Sequence, residues 1–357
     1  MPTLNNFIIL IEEYGSGHVV AAVEKGKIID LLVDPLCENQ VSMIGSIISA
    51  KLNNPLKGIN GSFVTLPEGK RGFLKGTHKL APHSVVPVYV GTNAERYKAQ
   101  PVTTKLIFKG RYIILTPGSA GINISRKIKS DVIRKNILDE LLMLKKDLPS
   151  GCGLIVRSQA QGTDISNLVQ EVEEKLNQYY KILSDDLLEP RVFIAPIKAR
   201  ELAMLEWVFS EPHSVIEELS CFDQFGIWEQ ISEFQSSRVN LENGGFLMIE
   251  PTSAFVAVDI NTGSDVTYSG ALKTNLLGMK ELPRQLTVRG LGGKIVVEFA
   301  PLSKKDRPKI ESQLRKALDK ARTECIIVGW TSLGNLELQK KREKQPISET
   351  LKERSLN

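Results

Sequence analysis

The chain has 357 residues, 42% of them hydrophobic and 24% charged, an ordinary globular balance that allows two to three domains, or one large one with insertions. The net charge of +5 does not by itself demand a nucleic-acid partner, but residues 303–346 carry 12 Lys+Arg against 6 Asp+Glu, so the positive excess lies where it can meet phosphate or simply form a solvated helix face. Four scattered cysteines (Cys37, Cys152, Cys221, Cys325), with no C-x-x-C pair, argue against a zinc ribbon or disulfide framework; no run reaches the ~18–20 apolar residues of a membrane helix and MPTLNNFIIL has no export leader, so the expected setting is cytoplasmic.

NNFIILIEE and HVVAAVEKGKIIDLLV, separated by Gly15-Ser16-Gly17, predict a hairpin over the first 35 residues. VSMIGSIISAKL, GSFVTL, RGFLKG, SVVPVYVGT and VTTKLIF then have the spacing of a small five-stranded barrel. GRYIILTPG predicts another strand. Helical patterns over 130–146 and 165–182 flank the strand GLIVRS, and PRVFIAP precedes the helical pattern ARELAMLEWVFS. From Gly244 the order is a hairpin (GGFLMIEPTSAFVAVDI), a helix (271–288), the strand KIVVEFA, a helix (308–322), the strand CIIVGW and a basic helical tail. The whole predicts a multidomain α+β and α/β chain.

Within that order, AFVAVDIN is an apolar strand ending in Asp259 and Asn261, which share a face because strand side chains alternate. The strand ends of open α/β sheets are where sites are built. KIVVEFA delivers Glu298 in the same manner. If the two strands are neighbours, the carboxylates converge, and two such groups repel unless a cation neutralises them. Mg²⁺, or Mn²⁺, which keeps most of its waters and takes one or two carboxylates, suits the pair and can act on a phosphodiester. Asn261 would orient a water or ligand. The same residue types also serve as a turn cap at Asp259 and a surface ion pair at Glu298.

The stretches GGFLMIEPTSAFVAVDIN, KTNLLGMKELPRQLTVRGLGGKIVVEF and GNLELQKKREKQPISETL, with GRYIILTPG, ISRKI and GCGLIVRS before them, resemble the ribonuclease E/G family. The resemblance covers nearly the whole chain and implies a metal-dependent endoribonuclease acting on single-stranded RNA. Asp259, Asn261 and Glu298 fall on its catalytic positions, with Glu298 where the family has aspartate. Asp259 and Glu298 fall on the metal-binding ones. Gly110, Ile114, Arg157 and Ser158 match a pocket for an RNA 5′-monophosphate. Phe63, Phe73 and Lys98 match the RNA-binding face of an OB-type barrel, although filling the barrel core is the alternative role for the phenylalanines. Pro283 is expected to kink the helix around it or lengthen its turn.

The architecture the resemblance implies is an OB-type barrel (36–109) inserted into a ribonuclease H-like subdomain (1–35 and 190–235). A 5′-sensor region (110–189), a deoxyribonuclease-like catalytic domain (236–345) and a tail (346–357) complete it. The family's zinc-linking cysteines and C-terminal dimerisation region have no counterpart in SETLKERSLN, so no zinc is expected from this chain and oligomerisation is left open. A histidine mechanism is disfavoured, because His18, His78, His83 and His213 lie outside the matched motifs. The runner-up reading is a non-catalytic or weakly active RNA-binding member of the family, because Glu298 replaces the usual aspartate.

Overall fold

The computed structural model describes residues 7–35, 44–55, 58, 60–76, 80–95, 97–144, 148–207, 214–321 and 323–351. Cys37, His78, His213 and the last six residues of the expected tail lie outside the described residues. The chain divides into two compact units, one of residues 1–42, 198–203 and 213–357, the other of residues 43–197 and 204–212.

The chain opens with β1 (Phe7–Tyr14), β2 (Gly17–Glu24) and β3 (Lys27–Val33), paired antiparallel in sequence. The expected hairpin is therefore a three-strand meander. Its second run folds back at Lys25-Gly26, both at positive φ, a conformation glycine adopts freely.

The second unit begins with β4 (Ile47–Pro55), β5 (Gly61–Thr65), β6 (Arg71–Lys75), β7 (Val85–Tyr89) and β8 (Gln100–Val102). β4 pairs with β5 and β7, β5 pairs with β6, and β6 runs parallel to β8. Tyr89 and Thr103 exchange backbone hydrogen bonds of 2.8 and 3.0 Å. The pairings therefore run in a ring, around Ile48, Leu52, Val64, Leu74 and Val88. The run expected as one last strand (102–108) is split, because only Thr103 bridges before β9 (Phe108–Lys109) starts the next sheet. That sheet adds β10 (Ile113–Thr116), β11 (Gly121–Ile124) and, after α1 (Asp131–Leu144), β12 (Gly153–Val156), in the order β11-β12-β10-β9. The amphipathic α2 (Ile165–Leu183) buries Leu168, Val172 and Leu176 in the same core as Ile113, Leu115, Leu154 and Val156. β13 (Val192–Ile194) pairs with β4, and α3 (Ala199–Glu206) follows.

β14 (Ser214–Glu217) returns the chain to the first sheet, parallel to β1. α4 (Cys221–Gln224) and α5 (Ile227–Gln235) supply Phe222, Ile227, Ile231 and Phe234 to the core beneath β1 and β2. Next come β15 (Arg238–Asn240), β16 (Phe246–Pro251), β17 (Val256–Asn261), α6 (Tyr268–Val288), β18 (Gly293–Glu298), α7 (Arg307–Ala321), β19 (Cys325–Trp330), β20 (Leu336–Lys340) and the short α8 (Ile347–Thr350). The strands form one six-stranded sheet in the order β15-β16-β17-β18-β20-β19. Leu247, Ile249, Val258, Ile260, Ile295, Val297 and Leu338 point to one face and pack against Leu282 and Leu286 of α6 and Ile310 and Leu314 of α7. The opposite face carries exposed Arg238, Asp259, Glu298, Ile326 and Val328.

One expectation is corrected here. The basic tail is not simply helical: LELQK alternates buried and exposed residues and is strand β20, the period-2 pattern overriding helix propensity. Pro283 does not interrupt its helix, for α6 continues to Val288 with Pro283 buried inside it. A proline's fixed φ suits a helix, and the buried Leu282 and Leu286 on either side hold the segment against the sheet at the cost of one backbone hydrogen bond. Among the described residues no helix is long and apolar enough to cross a membrane.

The sheet's grip on its helices centres on strands such as β18, whose Ile295 is fully buried. Ile295→Ala is expected to destabilise this unit by about 2–5 kcal/mol, read as a lower thermal midpoint; an unchanged midpoint would contradict the packing described.

Candidate functional site

β17 and β18 are adjacent and parallel, with Asp259 the register partner of Glu298. Because Val258, Ile260 and Val297 turn into the core, Asp259 and Glu298 turn out of it, side by side and exposed. Asn261, on the same face, donates from Nδ2 to Asp259 Oδ2 at 2.8 Å. Among the described residues neither carboxylate forms an ion pair with a lysine or arginine, so the surface-pair role for Glu298 is not the arrangement found. Two like charges opposite one another on a sheet repel, which leaves a pair of hard oxygen donors open to a cation. No third His, Cys, Asp or Glu joins them among the described residues. The donor set fits an ion that takes one or two carboxylates and keeps its waters.

The segments leaving these strands are tied together. After Asn261 the chain passes so close to Gly244 that a Cβ on Gly263 would lie 2.4 Å from the Gly244 carbonyl oxygen, and Gly263 sits at φ +68°. Thr267 caps α6, its side chain accepting from Gly270 N–H at 3.1 Å. The Tyr268 hydroxyl donates a short hydrogen bond to Asp306, which also takes Lys309 Nζ at 2.9 Å. Tyr268 follows β17 and Asp306 follows β18, so this contact joins the two carboxylate-bearing connections. The Tyr268 hydrogen bond, then Lys309, holds the Asp306 carboxyl below the usual carboxylate range.

The residues matched to a 5′-phosphate pocket come together in the second unit, but their donors are already engaged. Arg157 Nη1 donates to the Gly110 carbonyl at 2.7 Å, and Nη2 pairs closely with Glu206. Ile114 lies across from Ile155 in the β10–β12 ladder, and Ser158 Oγ contacts Gln159 Oε1 at 3.3 Å. Glu171 of α2 accepts from the backbone N–H groups of Arg111, Tyr112 and Ile113 at 2.6, 2.7 and 2.8 Å. Gly110 has no room for a side chain, since a Cβ would lie 2.4 Å from the Glu171 carboxyl carbon. The sequence signal for this pocket found the arginine and the glycine but missed both glutamates, whose partners lie about 50–60 residues away.

On the ring-paired domain, Phe63 and Phe73 are cross-strand partners with ring centroids 5.7 Å apart, edge to face. Both are half-buried and outside the core cluster, so neither fills the barrel. The guanidinium of Arg71 lies 3.7 Å from the Phe63 centroid, a partner the sequence reading missed. Lys98 is exposed and paired with Glu95.

A ring-paired β domain and an α/β layer with two acids on its open face make this a multidomain α+β protein. The chain belongs to the ribonuclease E/G family: the model described as "Ribonuclease E/G family" matches residues 107–195 and 198–343. It is 29% identical over 399 residues to ribonuclease E of Nostoc sp. and 27% identical over 389 residues to ribonuclease E of Synechocystis sp., alignments that take in 96% and 93% of this chain. Ribonuclease G of Escherichia coli is 25% identical over 413 residues, 96% of this chain and 81% of that protein. The chain spans little more than half of each ribonuclease E relative, 56%.

The lowered Asp306 pKa gives the Tyr268 contact a pH signature. A carboxyl with a depressed folded-state pKa stabilises the fold above the ordinary value near 3.8 and loses that contribution as pH falls through the lowered value. Tyr268→Phe is expected to be less stable than the parent at pH 7, the gap closing on acidification below about 4; a gap independent of pH in thermal melts would show that Asp306 is not the partner that matters.

Proposed function

We propose that this chain is an endoribonuclease that hydrolyses phosphodiester bonds within single-stranded RNA, using a divalent ion held by Asp259 and Glu298. The observation that carries the reading is the in-register pairing of these two acids on the open face of the sheet, and family membership supports it. Mg²⁺, with Mn²⁺ as substitute, would supply charge neutralisation at the phosphate and an activated water. Asn261 holds Asp259 through its amide and presents its carbonyl oxygen to a water or a ribose hydroxyl. Glu298 carries one methylene more than an aspartate, and its exposure leaves the carboxylate free to adjust its reach.

The barrel is read as an OB-type module that stacks bases on Phe63 and Phe73, with Arg71 and Lys98 following the backbone. Residues 1–35 and 190–235 are read as a ribonuclease H-like subdomain, and residues 236–345 as the deoxyribonuclease-like catalytic domain. Arg157, with Gly110, Ile114 and Ser158, is read as a receptor for a 5′-monophosphate. The phosphate would take the guanidinium from Glu206, exchanging one charge-assisted bond for another. The cytoplasm is the proposed setting.

Purified chain with Mg²⁺ is expected to cut a short single-stranded 5′-monophosphorylated RNA internally. EDTA should stop cleavage, and Asp259→Asn should lower the rate by at least about a hundredfold while RNA binding persists. Binding without cleavage under any divalent ion would leave only the runner-up, a non-catalytic RNA-binding protein. For the 5′ end, Glu206→Gln is expected to raise the preference for 5′-monophosphate over 5′-hydroxyl RNA, and Arg157→Ala to abolish it; equal cleavage of both ends in all three proteins would remove the sensing role.

A further inference from the structure

The open face of the six-stranded sheet holds a second arrangement beside the carboxylates. Arg238 of β15, Met248 of β16, Asp259 of β17 and Glu298 of β18 are successive register partners, so they form one row across four strands. Asn240, Phe246 and Asn261 form the next row. With strands about 4.8 Å apart, Arg238 stands on the order of 10 Å from Asp259. Its side chain does not extend into solvent at random. The guanidinium lies 3.6 Å from the Phe246 ring centroid, and Nε donates to Asn240 Oδ1 at 3.0 Å. A planar cation is thus held flat on an aromatic ring, with the residue exposed. Among the described residues Arg238 has no carboxylate partner, unlike Arg157. Beyond it, at the sheet edge, opens a cleft of about 560 Å³ bordered by Lys27, Lys280, Arg284 and the acids Glu233 and Glu281.

We propose that Arg238, supported by Phe246, is a stacking platform for a nucleobase of single-stranded RNA lying next to the phosphate at Asp259 and Glu298. Guanidinium planes stack unpaired bases as aromatic rings do, and the cation adds attraction to the adjacent phosphate. Phe246 backs one face of the guanidinium, and Asn240 fixes its rotation. The base is held where its sugar–phosphate can reach the acids two and three strands over, which makes Arg238 a positioning residue. The inference rests on the RNA-cleaving role proposed for this face.

The test uses the full chain and RNAs carrying 2-aminopurine at successive positions around the cleavage site, a base whose fluorescence falls when it stacks. An Asp259→Asn background keeps the RNA intact. At one position, fluorescence is expected to fall at least about twofold on binding, a loss abolished by adding Arg238→Ala. Arg238→Lys, which keeps the charge but not the plane, should also abolish it, whereas an unaltered signal in the lysine variant would overturn stacking. Phe246→Leu should weaken the quench while keeping the arginine. In the active protein, Arg238→Ala is expected to raise KM about tenfold, the cost of one lost base stack, with a smaller change in kcat. RNA cleaved normally but with no Arg238-dependent quench at any position overturns the platform. A quench that depends on Arg238 in a chain that never cuts RNA supports the platform and overturns the hydrolase reading instead. Melting curves matched to the parent confirm that the variants fold.

Discussion

The register between β17 and β18 is the constraint on which the rest depends. Side chains alternate with a period of two, so burying Val258, Ile260, Ile295 and Val297 against α6 and α7 forces Asp259 and Glu298 onto the other face. A slip of one residue on either strand would carry an acid into the hydrophobic layer, where an unpaired charge is costly. The apolar core therefore aligns the acids, and their mutual repulsion is a small cost against several buried aliphatic side chains at about 1.5–3 kcal/mol each. The site is held rigid by the same layer that makes this unit fold.

The charged groups of the two units are left in opposite conditions. Among the described residues Asp259 and Glu298 have no cation in contact, and both stand open. Arg157 is enclosed, its side chain 12% exposed, and satisfied by a carbonyl and a carboxylate, while Glu171 satisfies three neighbouring amides. An uncompensated acid pair is ready for a ligand as it stands, whereas a compensated arginine exchanges partners only when a stronger anion arrives. On the sheet's open face, Arg238 falls between these cases, fixed in orientation by a ring and an amide and, among the described residues, without a carboxylate partner.

Much of this was legible in the sequence, and the limits have physical causes. The strands around Asp259 and Glu298 could be read because alternation and a flanking helical period are local signals, and both extend over six residues or more. The division of 18–33 into two strands was missed because Lys25-Gly26 lacks the Asn-Gly or Asp-Gly signature of a tight turn. The Glu and Lys of LELQK favour a helix locally, and only its pairing with β18 and β19 makes it a strand. Pro283 marks a local breaker, and α6 nonetheless runs on to Val288 with Pro283 buried. At the candidate sites, Asp259, Asn261 and Glu298 were visible through spacing, while Glu171, Glu206, Arg71 and Arg238 were not. Their significance comes from contacts across strands or across about 50–60 residues of chain, which no short window contains.

The first sheet has a consequence for how the chain is made. β1 is one strand in from the sheet edge only because β14 covers it, and Glu12 of β1 accepts from the Phe222 amide, 210 residues further on. At about 5–20 residues per second of synthesis, these partners leave the ribosome on the order of 10–40 s apart. During that interval the whole second unit emerges, while Ile8, Leu10 and Val19, all buried in the finished core, lack the helices that will cover them. The nascent amino-terminal meander thus shows a bare backbone edge and an oily face while it waits, a natural handle for a chaperone.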